Sequence, residues 1–372
     1  MKKQFLSSFL SSSVVLAAAA GLIKYPREIS AAVRASLTLC TDTLLPGLFP
    51  FFVLSSLIMK LELLRPLENA LTPVMGKIFH LPGNCACPLV LGVIGGYPTG
   101  ARSAVELYRS GQCSRDEAIG LLTFCNNCGP AFLFGVVGCG ILGHPRYGLL
   151  LTTVHVVAAV LTGRITNRCR PIPTTHRTRT LSNPTPLASA FVDSVTGALR
   201  TLLDLFSFVL CFGAITELLS IFGGATGRAV SVLLPFLAPE TGTNLLLGLL
   251  EMTHGVSALS AEPLPLRLIL SAALTGWGGV SVHCQVLSLL RDTDLSASSY
   301  LKGKALHAAL SALLMWGLLR HIEATCLAAG GILLFLPCRT RKKAVENERK
   351  VLYNQNKQIK GAMYHEPVPE VN

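Results

Sequence analysis

Asn126 and Asn127 stand side by side in the middle of an apolar run, Leu121-Leu-Thr-Phe-Cys-Asn-Asn-Cys-Gly-Pro-Ala-Phe-Leu-Phe-Gly135. Their amides can hydrogen-bond a polar solute or satisfy backbone that has left the helix, and both roles fit this run. Glu251 and His254 lie three apart, so on a helix they share a face. A carboxylate there can neutralise a cation or carry a proton, and an imidazole titrates near neutral pH. The blander reading is an interfacial pair pinned at a helix end. Ser281, His283 and Gln285 alternate, a period suited to an extended, unwound segment that lines a cavity. These seven are the candidate substrate-binding residues. Around them, Gly96, Tyr97, Pro98, Gly100, Gly129, Pro130, Gly278 and Gly279 are read as shaping breaks in helices rather than touching ligand. Trp277 can stack on a ring, although an aromatic in an apolar run ordinarily packs. His155, alone in its apolar segment, reads as a satisfied core histidine.

Such polar groups in apolar runs need elements that hold them inside a bilayer. The chain has 372 residues, 51% hydrophobic and 14% charged, with mean hydropathy +0.53. Soluble domains carry about 25% charged residues. Apolar runs recur with short polar loops between them, which predicts an all-α, polytopic membrane protein of the cell membrane, in contact with lipid on its outer faces. The net charge of +12 concentrates at Arg164, Arg168, Arg170, Arg177 and Arg179 and again from Arg339 to Lys350. Clusters directly behind apolar segments mark cytoplasmic loops and a cytoplasmic C-terminus rather than a nucleic-acid surface.

No enzyme constellation is present: there is no HExxH, no phosphate loop ending Gly-Lys-Thr and no GxSxG elbow. Neither a cofactor nor a metal is expected. The close cysteine pairs Cys85/Cys87 and Cys125/Cys128 lack the second pair or histidine ligands of a zinc site, so these thiols read as small buried apolar groups.

Taken in order, residues 1–43 give a first apolar helix, Phe5 to Ile23, and an amphipathic lead-in over Glu28 to Thr43 that suits the interface. Met1-Lys-Lys ahead of it also fits a signal peptide, but the spans that follow favour an uncleaved helix. Residues 44–165 then run span (Leu44 to Met59), interfacial piece (Leu61 to His80), short broken segment (Cys87 to Leu107), long broken segment (Ala118 to Leu142) and span (Tyr147 to Ile165). A basic linker, 166–186, separates these from 187–319. There the same order recurs: lead-in (Leu187 to Arg200), span (Leu202 to Phe222), short pieces (Val230 to Pro239 and Asn244 to Leu259), long broken segment (Leu266 to Leu290) and span (Lys304 to Leu319). A last helix in 320–338 and a polar tail, 339–372, close the chain.

Residues recur with the order. Leu91-Gly92 pairs with Leu247-Gly248, and Leu122-Thr123 with Leu274-Thr275. Paired interrupted segments are the sequence mark of transporter repeats and point to a binding site. With linker and tail both cytoplasmic, the two repeats come out inverted, and the chain makes about eight crossings.

Four runs carry a resemblance: Gly95-Gly-Tyr-Pro-Thr-Gly-Ala101, Phe124-Cys-Asn-Asn-Cys-Gly-Pro130, Glu251-Met-Thr-His-Gly255 and Gly278-Gly-Val-Ser-Val-His-Cys-Gln285. In order and spacing they resemble sporulation integral membrane proteins of the YlbJ type. Those sit in the wider nucleoside recognition (Gate) set, shared with concentrative nucleoside transporters, the ferrous-iron transporter FeoB and spore maturation proteins. The family pattern has small hydroxyl residues where Cys125 and Cys128 stand, which also argues against metal-binding thiols. The resemblance implies a role in spore formation, in particular of the spore cortex, and a transporter-like fold, without naming a substrate.

The expected function is therefore a permease for a small polar solute, nucleoside-like solutes included. The alternative is a non-transporting scaffold that recruits sporulation partners through its basic loops, and self-association is compatible with either.

Overall fold

A computed structural model describes residues 2–61, 63, 65–170, 186–221, 232 and 238–335. Most of the basic linker, the segment 233–237 and the tail beyond 335 lie outside the described residues, and with them Arg177, Arg179 and the cationic run from Arg339.

The described chain is helical throughout. Helix α1 (Lys2–Lys24) precedes α2 (Pro26–Leu39), which runs through a π-turn at Cys40–Leu44 into α3 (Leu45–Lys60). Pro46 and Pro50 lack the N–H that a regular turn needs. The widened turn, in which Leu45 N–H reaches Cys40 O, lets the helix continue over them. The expected interfacial lead-in and span are thus one continuous helix, Pro26–Ile58, and the boundary drawn at 43/44 falls inside it. The same happens at α9 (Leu187–Ile221), where Leu187 to Arg200 and Leu202 onward form a single rod of 35 residues.

Between the rods lie the broken elements. Helix α4 (Arg65–Val74) continues as a π-turn to Phe79. A left-handed His80 (φ 54°) and the turn Gly83–Cys85 then lead into α5 (Ala86–Gly95), and Asn69–Phe79 meets Gly83–Gly95 at 99°. Helix α6 (Thr99–Arg109) follows the break after α5. Helix α7 (Arg115–Leu122) opens on a capping box between Ser114 and Glu117 and ends in non-helical backbone at 123–129. An 11-residue π-helix, Ala131–Ile141, resumes the path toward α8 (Pro145–Asn167). After α9 come α10 (Pro239–Leu250), α11 (Met252–Ala258), α12 (Leu264–Trp277), α13 (Gly279–Leu290), α14 (Ala297–Arg320) and α15 (Ile322–Phe335).

The chain is a polytopic membrane protein, with fewer long spans than composition suggested. Among the described residues, three helices are long and apolar enough to cross a bilayer: Pro26–Ile58, Pro145–Asn167 and Leu187–Ile221. A fourth is added if the pair bent at His80 counts as one. The other segments behind the expected eight crossings are cut short by their breaks, are themselves short, like Ala131–Ile141 and Ile322–Leu334, or, like the 24-residue α14, are long without being apolar enough. The two long rods have 17% and 22% of their apolar windows buried, against 56% for α8. The rods therefore turn most of their surface to lipid, while α8 is central. There α8 packs on α14, α14 on α12, and the rods on each other.

Candidate functional site

Four interruptions of the helices meet at one place. After Gly95 the chain turns through Gly96 (φ 75°) and Tyr97, with Thr99 N–H closing onto Gly96 O at 2.8 Å. The unwound stretch 123–129 threads between this hairpin and α14. A Cβ on Gly92 or Gly100 would collide with the Cys125 carbonyl, one on Gly303 would collide with Thr123, and Gly96 lies against Gly129. Glycine at these positions lets the backbones touch. In the second half, Glu251 (φ −139°, ψ 110°) is extended backbone between α10 and α11, where Gly248 crosses Gly255. The last break is Gly278 (φ 92°) beside Gly279 (φ 82°), both left-handed. A Cβ on Gly278 would lie 3.2 Å from the Tyr97 ring and hydroxyl, and one on Gly279 would lie 3.1 Å from Leu250 O.

A cavity with about 620 Å³ of empty space, its open mouth included, lies between these breaks. Its polar lining comes from Tyr97, Glu251, Thr253, Ser281 and Gln285, with backbone of Gly96 and Gly129. Its walls carry four phenylalanines, Phe51, Phe52, Phe132 and Phe208. An apolar pocket with few convergent polar groups suits a small molecule that has flat apolar faces and a polar edge.

Glu251 is both lining and cap. Its Oε2 accepts from His254 N–H at 2.8 Å, satisfying the first turn of α11, and lies 2.9 Å from His254 Nδ1. His254 Nε2 in turn meets Ser36 Oγ at 3.1 Å, which ties the break to α2. On α13, Ser281 and Gln285 are one turn apart on the cavity face, and Gln285 Nε2 has no hydrogen-bond partner.

Behind Tyr97 lies a polar cluster buried to within 1% of full enclosure: Asn126, His155, Tyr300, Lys304 and His307. Lys304 Nζ donates to Tyr97 Oη at 2.7 Å and to Asn126 O at 3.1 Å, and lies 3.3 Å from His307 Nδ1. Tyr97 Oη donates to Thr275 O at 2.8 Å. Tyr300 Oη is 3.3 Å from Asn126 Nδ2 and 3.0 Å from His283 Nδ1. His155 Nε2 accepts from Cys128 N–H at 2.9 Å, and its ring packs 4.4 Å from that of His307.

The structure sorts the residues singled out in the sequence. Glu251, Ser281 and Gln285 reach the cavity. Asn126, Asn127, His254 and His283 surround it without lining it, and Asn127 Nδ2 turns back to Phe124 O at 3.0 Å. Ser281, His283 and Gln285 do not lie on extended backbone. The break ends at Gly278, and α13 starts at Gly279, so a helical period separates His283 from the other two and turns it to Tyr300 and Trp277. Glu251 and His254 share no helix face, because Glu251 stands outside α11 as its cap. Gly96, Tyr97 and Gly129, read as shaping residues, line the cavity as well. His155 is only half satisfied, since its Nδ1 has no partner. Trp277 donates to Leu249 O at 3.0 Å, closing the end of α10.

Lys304, Tyr300 and His307 were missed by sequence reasoning, although a signal was present. Tyr300, Lys304, His307 and Ser311 recur at spacings of four, three and four, which is one helix face, and all four are buried. A polar stripe at apolar-core spacing marks a face that meets other polar groups.

Residues 42–172 match the family described as nucleoside recognition (Gate). The chain is homologous to the sporulation integral membrane protein YlbJ of Bacillus subtilis (strain 168). The two are 29% identical over 339 residues, which is 84% of this chain and 83% of that protein. No solved structure matches.

Proposed function

We propose that this protein is a permease of spore-forming cells for a small polar solute with a planar ring, nucleoside-like in shape, and that it contributes to formation of the spore cortex. The observation that carries this reading is the meeting of four backbone breaks around one cavity. Irregular backbone at membrane depth is tolerated where it is buried in protein or lines a cavity, and in transporters it forms the site. Glu251, Ser281 and Gln285 bind the polar edge of the solute, Tyr97 and the phenylalanines hold its faces, and Asn126, Asn127, His254 and His283 brace these groups from behind.

The two halves are read as inverted repeats that rock about this site, with linker and tail on the cytoplasmic side. Reciprocal packing supports the pairing. The rods α3 and α9 pack on each other, as do α8 and α14; α7 packs on α14 as α12 does on α8; and α6 packs on α13 as α11 does on the π-helix. A pseudo-two-fold axis generates such exchanged pairs.

The test is binding and uptake by the reconstituted protein with a panel of radiolabelled nucleosides, bases and other small polar solutes. Uptake that falls at least tenfold with Ser281→Ala plus Gln285→Ala supports the reading. If no solute binds or moves, and Glu251→Ala still supports sporulation, the permease reading fails and the scaffold takes its place.

A further inference from the structure

Lys304 is a buried cation whose hydrogen-bond partners are all neutral. Its ammonium has three hydrogens, and three acceptors surround it: Tyr97 Oη, Asn126 O and His307 Nδ1. No described carboxylate pairs with it. Buried charge without a counter-charge is costly and marks a functional group within a membrane.

The partners fix the proton inventory. His307 Nε2 lies 3.0 Å from His155 O, which only accepts, so that nitrogen carries the hydrogen and Nδ1 offers a lone pair to Lys304. His155 Nε2 accepts from Cys128 N–H, so the hydrogen of a neutral ring sits on Nδ1. The other titratable groups facing Nζ are Tyr97 from the hairpin break, in direct contact, Cys125 and Cys128 from the unwound segment, His155 from α8 and His283 from α13, with Tyr300 from α14 one contact away. None of them is a carboxylate.

A neutral amine has two hydrogens and a lone pair. It can serve only two of these three acceptors and must point its lone pair at the third. Tyr97 Oη and Asn126 O belong to the hairpin break and the unwound segment, whereas His307 shares α14 with Lys304, so a neutral amine that keeps its bond to His307 loosens one of the two joints between elements. Tyr97 lines the cavity, and its hydroxyl touches Nζ.

We infer that Lys304 is a proton-binding site: protonated, it ties Tyr97 and residues 123–129 to α14; deprotonated, it releases one of them, which couples movement of the cavity walls to a proton. The Nζ lone pair takes the proton from cavity water by way of Tyr97 Oη and returns it by the same path. The coupling to transport rests on the permease reading, whereas the proton-dependent latch stands without it.

Amide hydrogen exchange on the full chain in lipid nanodiscs tests the latch. After correction for intrinsic chemistry, exchange in residues 121–131 of the wild type should step up about tenfold or more as pH rises from about 6 to about 9. Lys304→Arg, which stays charged, should remain protected throughout, and Lys304→Gln should show no step. A flat wild-type profile, or the same step in Lys304→Arg, overturns the inference even if Lys304→Gln fails to fold. In proteoliposomes with uridine as probe, an inside-alkaline gradient should speed uptake in the wild type but not in Lys304→Arg. Uptake indifferent to the gradient overturns the coupling. Absence of all uptake counts against the permease reading, and the exchange profile then decides the proton site by itself.

Discussion

The break at 123–129 and the break at Gly278 interrupt helices in corresponding halves, yet they spend their polar residues differently. The first is seven residues long, and its exposed backbone groups need partners. Asn127 serves the Phe124 carbonyl, Asn126 supports Tyr300 while its own carbonyl accepts from Lys304, and His155 is drawn in to receive Cys128 N–H. The amide oxygens of Asn126 and Asn127 have no hydrogen-bond partner, but neither residue lines the cavity. The second break is a pair of left-handed glycines, Gly278 and Gly279, after which α13 satisfies its own backbone and leaves Ser281 and Gln285 free to face the cavity. The longer a membrane break, the more of its side chains work as scaffold.

The largest expected effect tests the long break. Gly100→Ala places a Cβ against the Cys125 carbonyl, which is backbone already packed against both Gly92 and Gly100. Overpacking of this kind costs about 3 kcal/mol, so the variant should lose most of its monodisperse yield in detergent. Gly135→Ala, with nothing within 4 Å, should behave as wild type in the same assay. Equal yields would show that the threading of 123–129 is loose.

The short break should be more forgiving. Gly278→Ala must hold φ 92°, which costs about 1–2 kcal/mol for a residue with a Cβ. Its Cβ would also sit 3.2 Å from the Tyr97 ring. A thermal unfolding midpoint lowered by a few degrees, well short of the loss at Gly100, is the outcome that preserves the contrast.

Glu251 separates binding from capping. Glu251→Gln keeps an acceptor for His254 N–H and should unfold near the wild-type temperature, whereas Glu251→Ala leaves that N–H uncapped and should lose about 1 kcal/mol. Both should weaken solute binding, because both remove the only carboxylate among the described residues that line the cavity. A Gln variant that binds the active solutes as the wild type does would assign Glu251 to structure alone.

These contrasts also show how far the sequence could be read. Glycine, proline and asparagine pointed to three of the four breaks, because few residues interrupt an apolar helix and those that do have backbone reasons; the fourth, at Glu251, reads as helix in the sequence. Helix continuity was illegible at Thr43 and Leu44: two prolines argue for an end, and only a π-turn upstream absorbs them. The alternation of Ser281, His283 and Gln285 misled because a period of two over five residues is also compatible with one and a half helical turns. Three polar points cannot choose between these until the extent of the break is known. Lys304 escapes because in the sequence it reads as the polar start of an apolar segment, whereas α14 begins seven residues earlier at Ala297.

The smallest effect concerns a joint between the halves far from the cavity. Tyr108 Oη donates to Asp294 Oδ1 at 2.7 Å, and Arg115 Nε meets Asp294 Oδ2 at 2.8 Å while also reaching its backbone carbonyl. The Tyr108 hydrogen bond, with help from Arg115, holds the Asp294 carboxyl below its ordinary value of 3.8, and the same bond raises the Tyr108 hydroxyl. A lowered folded-state value means that the stabilisation is complete above the ordinary carboxylate range and disappears as pH falls through the depressed value. Tyr108 is partly buried, but Arg115 and Asp294 are open to solvent, so the contribution is small and screened by salt. Wild type and Asp294→Asn should therefore differ slightly in unfolding temperature at neutral pH and low salt, and converge in acid. Tyr108→Phe, which removes the first cause and leaves the arginine, should retain only part of that acid dependence. A difference that persists unchanged below the carboxylate range would assign the joint to Arg115 and the Asp294 backbone carbonyl, with no contribution from the ionised side chain.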